Sequence, residues 1–215
     1  MIKGIIFDLD GLLIDSEPYW REGDYLLAKK YGFPLTDEFR KQLMGRGIKE
    51  CSEIFIKSFN LKESVDVLTK DRLDFLYQTL FEKLTSMPYS LEIIQKLKKQ
   101  GYVLALATAG HAAETAKKIL DQLSILGYFS QVVSGLEVKR SKPAPDIFLE
   151  AAKRMGLMPN ECIVLEDAIN GVMAGKAAGM KVIGVKEDEE IREELKKRNA
   201  DFVYKDLNIP MEIFS

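Results

Sequence analysis

Asp8 and Asp10 are two carboxylates one residue apart, followed at once by Gly11, in the run Asp8-Leu9-Asp10-Gly11. Acids spaced in this way sit at one point of the backbone, where one can attack an electrophile or hold a cation while the other moves a proton. Aspartate and glycine are also ordinary turn residues, so the quartet taken alone is equally a turn. Three further polar clusters bear on the choice. Thr108 ends the apolar run Val103 to Ala107 and precedes Ala109-Gly110, Lys142 lies in Ser141-Lys142-Pro143-Ala144-Pro145-Asp146, and Glu166-Asp167 closes the run Cys162 to Leu165. Brought together, Asp8, Asp10, Glu166 and Asp167 would repel by about 1 kcal/mol per pair at ~4 Å in water, and by more in a shielded site. Something positive must accompany them. Hard carboxylate oxygens with no histidine or thiolate nearby favour Mg2+, which keeps several waters and takes a substrate phosphate as a further ligand. Lys142 adds a protein cation, and the Thr108 hydroxyl with the amides of Leu9 and Ala109 can hydrogen-bond phosphate oxygens.

The elements that must position these groups can be read from hydrophobic pattern. Ile2, Ile5, Ile6 and Phe7 form an apolar run too short for a globular helix and rich in branched and aromatic residues, which predicts a buried strand ending at Asp8. Further strands are expected at Val103 to Ala107, Val132 to Val133, Cys162 to Leu165, Lys181 to Val185 and Phe202 to Tyr204. Helical stretches lie between them at Leu91 to Lys99 (with Ser90 as its cap), Ala112 to Leu123, Pro145 to Met155, Ile169 to Ala178 and Glu189 to Arg198. Strands apolar throughout, alternating with helices, indicate a Rossmann-like parallel sheet covered on both faces, with polar residues from several strand ends converging on one crevice. Tyr19 to Tyr31, Asp37 to Met44, Ile48 to Phe59 and Ser64 to Leu84 instead carry apolar residues at spacings of three and four with no strand among them. The expected organisation is therefore an α/β core, residues 1–14 and 85–215, with an all-helical domain, residues 15–84, inserted after the first strand.

Composition narrows the partners. The 215 residues include 31 Lys plus Arg against 33 Asp plus Glu, a net charge of −2, which gives no basis for binding nucleic acid or an anionic membrane. No run approaches a membrane span and no leader pattern precedes the first strand, so a cytoplasmic protein is expected. Cys51 and Cys162 stand in unrelated contexts and resemble neither a redox motif nor a zinc site.

Taken in order and with their strand context, Asp8-Leu9-Asp10-Gly11, Thr108, Lys142 and Glu166-Asp167 resemble the four motifs of the haloacid dehalogenase superfamily. The helical insert is similar to that superfamily's C1-type cap, in the subgroup containing β-phosphoglucomutase and sugar-phosphate phosphatases. Gly11-Leu12-Leu13-Ile14-Asp15-Ser16-Glu17-Pro18 and Lys142-Pro143-Ala144-Pro145-Asp146 are close to the family's wording. The resemblance implies that Asp8 attacks phosphorus to give an aspartyl-phosphate, and that Asp10 protonates the leaving oxygen and then activates water. It further implies Mg2+ held by Asp8, the Asp10 carbonyl and Asp167, with Glu166 acting on the metal through water, and a phosphate oriented by Lys142 and Thr108. The dehalogenases that give the superfamily its name need neither a metal nor this second aspartate, so Asp10 together with Asp167 argues for phosphate chemistry.

Within the insert the pattern departs from β-phosphoglucomutase: Trp20 stands for a histidine and Ile48 for an arginine that grips a distal phosphate. Ser16-Glu17-Pro18-Tyr19-Trp20 resembles hexose-phosphate phosphatases instead, and Trp20 offers an indole either to stack on a sugar or to fill the insert's core. Arg46 and Lys49 lie in a loop that either reaches over the substrate or is solvated. His111, the single histidine, is expected to begin a helix at the surface, and Lys186 to Arg198 to form a solvated face with i,i+4 pairs. The expected function is Mg2+-dependent hydrolysis of a small phosphorylated metabolite, such as a sugar phosphate, by a monomer. The alternatives are a phosphosugar mutase and a non-catalytic protein that binds phosphorylated ligands.

Overall fold

A computed structural model describes every residue, Met1–Ser215. Six parallel strands, β1 (Gly4–Phe7), β2 (Val103–Thr108), β3 (Gln131–Ser134), β4 (Cys162–Glu166), β5 (Lys181–Val185) and β6 (Phe202–Tyr204), form one sheet in the order β3-β2-β1-β4-β5-β6. This is the expected α/β fold. β1 lies between β2 and β4, with Ile5 opposite both Leu104 and Ile163. The chain order reverses on either side of β1, and this is where an open parallel sheet leaves a crevice at its carboxyl edge.

The period-two geometry of strands sends alternate side chains to opposite faces. Ile5, Phe7, Leu104, Leu106, Ile163 and Leu165 join one buried cluster with Ile93, Leu97, Ile119 and Leu120, which come from α5 (Ser90–Lys99) and α6 (Ala113–Gln122). Ile6, Ala105, Ala107 and Val164 join the other, against α7 (Asp146–Met155), α8 (Ile169–Ala177) and α9 (Glu189–Lys197) through Phe148, Val172 and Leu195. Both faces are thus covered, which is why the strands read as unbroken apolar runs.

Between β1 and α5 lie four helices, α1 (Glu17–Tyr31), α2 (Asp37–Lys41), α3 (Ile48–Phe59) and α4 (Val65–Lys83). They enclose a third apolar cluster of Leu27, Phe33, Phe55, Leu68 and neighbours, in which Phe33 stacks on Phe59 at 4.4 Å. Trp20, Ile48, Leu76 and Leu80 of the same segment belong to the core's first cluster. The two connections are bonded to each other: Asp15 N–H donates to Thr85 O at 3.1 Å and Met87 N–H to Leu13 O at 2.9 Å.

Two local expectations are corrected. α2 stops at Lys41 rather than Met44, because the chain turns through residues 42–46 toward Gly45, whose φ is +69°. Ser90 is the first residue of α5, not its cap; Tyr89 holds the cap position at φ 64°, in the left-handed region, and Ser90 N–H bonds back to Met87 O.

Candidate active site

The carboxyl ends of β1, β2 and β4 bring Asp8, Asp10, Thr108, Glu166 and Asp167 to one edge of the sheet, and the loop before α7 adds Lys142. Lys142 is completely buried. Its Nζ donates to Asp8 Oδ1 at 2.5 Å, Glu166 Oε1 at 2.6 Å and the Ala107 carbonyl at 3.1 Å, using all three ammonium protons. Burial alone would pull this lysine down, yet Asp8 and Glu166 hold it well above its ordinary range. Asp8 moves the other way from a normal carboxyl: burial pushes it well up, and Glu166, Asp167 and Asp10 add to that against the pull of Lys142. Glu166 is raised for the same leading reason, and its second oxygen accepts from Ala168 N–H at 3.0 Å.

Lys186 enters from the end of β5, and its Nζ lies 2.5 Å from Asp167 Oδ2. Asp8, Glu166 and Asp167 thus share two ammonium groups, and burial above all keeps Asp8 and Glu166 higher than ordinary carboxyls. Asp8, Glu166 and Asp167 each offer an oxygen within 4.8 Å of the others, with no imidazole or thiolate among them. A hard divalent cation fits this donor set.

Asp10 is held differently. Its Oδ1 accepts from Ser16 Oγ at 2.6 Å, Trp20 Nε1 at 2.9 Å and His111 Nε2 at 3.1 Å. Burial would raise this carboxyl, but the charge and hydrogen bond of His111, with the bonds from Ser16 and Trp20, outweigh it and lower it to about 2. Next to these acids, Thr108 Oγ1 is buried without a hydrogen-bond partner, and neither Leu9 N–H nor Ala109 N–H donates to a backbone carbonyl. Of these three unspent donors Ala109 lines the cavity in front of Asp8, and such a set of donors suits the oxygens of an anion.

A cavity of about 100 Å3 opens in front of these groups, and the inserted helices form its far wall with Glu17, Trp20, Asp24, Arg40, Arg46 and Arg72. Asp24 accepts from Arg72 Nε at 2.6 Å and Arg40 Nε at 3.1 Å, and Arg40 Nη2 also reaches Glu17 at 3.1 Å. The Arg72 guanidinium lies 4.6 Å from the centre of the Trp20 ring. The loop before α3 is seated on the core: Asn170 Nδ2 donates to Met44 O at 2.9 Å and Ile48 N–H to Ala109 O at 3.3 Å. Gly45 and Gly47 permit this approach, since a Cβ on either would fall 2.7 Å from Ala168 Cβ or Ser141 Cβ.

Of the residues singled out by sequence, Asp8, Asp10, Ala109, Lys142, Asp167, Trp20 and Arg46 line the cavity. Leu9 and Thr108 are completely buried beside it, the Leu9 side chain in the core. Glu166 lies behind, turned toward Lys142. Trp20 presents its N–H to Asp10. Arg46 donates to Gln42 O and pairs with Glu50, whereas Lys49 points away to Asp66 at 2.9 Å. His111 is a correction: it is completely buried, because the chain bends inward after β2 and α6 begins only at Ala113. The charged run is another. Its helical pairs, Glu193 with Lys196 and Glu194 with Lys197, are spaced i,i+3, and Lys186 is turned into the site.

Sequence reasoning missed Ser16, Asp24, Arg40, Arg72 and Lys186. Lys186 was findable, since it follows a parallel strand on the same edge as the acids. Asp24 shares the Trp20 face of α1 at i+4. Arg40 and Arg72 carried no local signal.

The haloacid dehalogenase-like hydrolase family model matches residues 5–185. The chain is 32% identical over 182 residues to a phosphorylated carbohydrates phosphatase of Thermotoga maritima, covering 85% of this chain and 84% of that one. It is 31% identical over 183 residues to the fructose-1-phosphate phosphatase YqaB of Escherichia coli, covering 85% and 96%. Among solved structures, a β-phosphoglucomutase of Clostridium difficile superposes with a TM-score of 0.87 at 27% identity, covering 99% of this chain and 95% of that one.

Proposed function

This chain belongs to the haloacid dehalogenase-like hydrolases, and from that premise we propose that it is a phosphoric monoester hydrolase acting on small phosphorylated carbohydrates through a covalent aspartyl-phosphate. The observation that carries the reading is the Lys142 ammonium shared between Asp8 and Glu166 at the strand ends. Lys142 occupies Asp8 Oδ1, which leaves Oδ2 to attack phosphorus as the bond to the leaving oxygen breaks. Asp10, a carboxylate in the free protein, takes up a proton from solvent as the substrate binds and gives it to that oxygen. A phosphate dianion set against Asp10 raises its proton affinity, as any like charge does, and so equips it for this step. In the second half Asp10 takes a proton from water, the water oxygen bonds to phosphorus, the Asp8–phosphorus bond breaks, and phosphate leaves. Thr108 Oγ1 and the amides of Leu9 and Ala109 orient the phosphoryl oxygens. Mg2+, held by Asp8, the Asp10 carbonyl and Asp167, supplies charge neutralisation for those oxygens when bound. Glu166 keeps Lys142 in place.

We take residues 15–84 as a cap domain and residues 1–14 with 85–215 as the catalytic core. The cations that the cap places on the cavity are already paired: Arg40 with Asp24 and Glu17, Arg72 with Asp24, Arg46 with Glu50. That pairing leaves no free positive charge for a second phosphate, which favours hydrolysis of monophosphates over a mutase working through a bisphosphate.

The test is phosphate release from a panel of sugar phosphates with Mg2+ or EDTA, alongside Asp8→Asn. Metal-dependent release that the variant loses by more than about 10³-fold is expected. Undiminished activity in Asp8→Asn would remove the nucleophile assignment. Conversion of a sugar 1-phosphate to its 6-phosphate, without net release, would move the reading to the mutase.

A further inference from the structure

Asp10 is fixed from one side only. Ser16, Trp20 and His111 all donate to Oδ1, and none of them reaches Oδ2. A carboxylate oxygen only accepts, so His111 Nε2 carries the hydrogen in its contact with Asp10. The other ring nitrogen, Nδ1, lies 2.9 Å from Tyr77 Oη. Tyr77 belongs to α4 of the helical insert, whereas His111 follows β2 of the core. Burial pushes the Tyr77 phenol up, which keeps its proton in place. His111 is clamped on both sides, with Trp20 and Tyr77 ring centres at 5.6 and 5.7 Å, and its own carbonyl accepts from Ser134 Oγ at 2.6 Å.

We infer that His111, held by Tyr77, is a positioning residue for Asp10: it occupies Oδ1 so that Oδ2 is the oxygen that passes a proton to and from the substrate. This rests on the proposed hydrolysis. The contact also carries the placement of α4 to the reacting carboxyl, because Tyr77 reaches Asp10 only through this ring. Asp10 keeps two of its three donors without His111, so the expected fault is misaimed proton transfer rather than a lost fold or lost binding.

Proton donation to the leaving group matters for an alkoxide and little for p-nitrophenolate, and this separates a positioning role from a structural one. His111→Ala is expected to lower kcat on a hexose monophosphate by roughly 10–100-fold with KM within about 3-fold, as misplacement of a catalytic group does. First-turnover release of p-nitrophenolate from p-nitrophenyl phosphate, which precedes the water step that Asp10 also serves, should fall by less than about 3-fold in the same variant. His111→Gln, which can still donate to Oδ1, should recover most of the loss, and Tyr77→Phe, which keeps the ring but not the hydroxyl, should fall between. Equal losses on both esters, no loss on either, or no recovery with Gln would overturn the inference while leaving the hydrolase reading intact. Absence of phosphate release by the wild-type protein from both esters would instead defeat the reading on which it rests.

Discussion

Two aspartates one residue apart have opposite electrostatics because different residues reach them. Asp8 has one cation, shared with Glu166, inside a buried acidic cluster; Asp10 has three donors on one oxygen. A carboxyl whose folded value is raised contributes stability that is fully present below its ordinary value, and loses it as pH rises through the folded one. At neutral pH, Asp8 is therefore a cost to the metal-free fold, since desolvation exceeds the pull of Lys142. Asp8→Asn should melt about 2–4 °C higher than wild type in EDTA at pH 7.5, corresponding to roughly 1 kcal/mol. The advantage should shrink as pH falls toward ~4, where the wild-type carboxyl is protonated too. Thermal melts across that range check both statements, and a variant that melts lower throughout would show that the Lys142 pair outweighs desolvation. The roles of Trp20 and His111 were open in the sequence. An indole and an imidazole fit either a core or a site, and only the fold brings both to Asp10, Trp20 from α1 and His111 from the bend after β2.

At the level of elements, the strands and their polar ends were legible because a strand buried on both faces has little choice of residue. Helix ends were less so. Tyr89 illustrates why: a tyrosine gives no sign of φ 64°, which costs an L-residue about 1–2 kcal/mol relative to the right-handed region. Its side chain is 44% exposed, so little packing is lost on truncation. Tyr89→Gly should therefore stabilise the protein by roughly 1 kcal/mol, raising Tm by about 2–4 °C, with kcat and KM unchanged. A lower Tm would mean that the ring's contacts outweigh backbone strain. The seating of the loop at Gly45 and Gly47 is a second consequence of backbone geometry: lacking Cβ atoms, it approaches Ala168 and Ser141 closely enough to wall the cavity.

For the molecule as a whole, the site is the meeting of two packing units. The α/β core supplies the acids, the lysines and the unpartnered donors, and the helical insert supplies the opposite wall. No helix is long and apolar enough to cross a membrane. A cation that bound only the folded arrangement proposed here, at Asp8, Asp10 and Asp167, would stabilise that fold by mass action. Free Mg2+ at about 100 times its dissociation constant should add roughly 2.7 kcal/mol, or 5–10 °C in Tm, and EDTA should remove it. Asp167→Asn should show a much smaller rise, and an equal rise in that variant would place the cation elsewhere.

The order of apolar runs determined the sheet, and the residue at each strand end determined which groups could meet, because a parallel strand delivers its carboxyl-terminal side chains to a common edge. That much is local, so Asp8, Asp10, Thr108, Lys142, Glu166 and Asp167 were legible one by one. What tertiary structure decided was the pairing: which acid Lys142 shares, that Lys186 turns into Asp167, that Arg40 and Arg72 spend their charge on Asp24, and that His111 bridges Tyr77 to Asp10. These contacts join residues distant along the chain whose types admit other partners. Their choice depends on how the insert sits on the sheet, which no spacing within the sequence encodes.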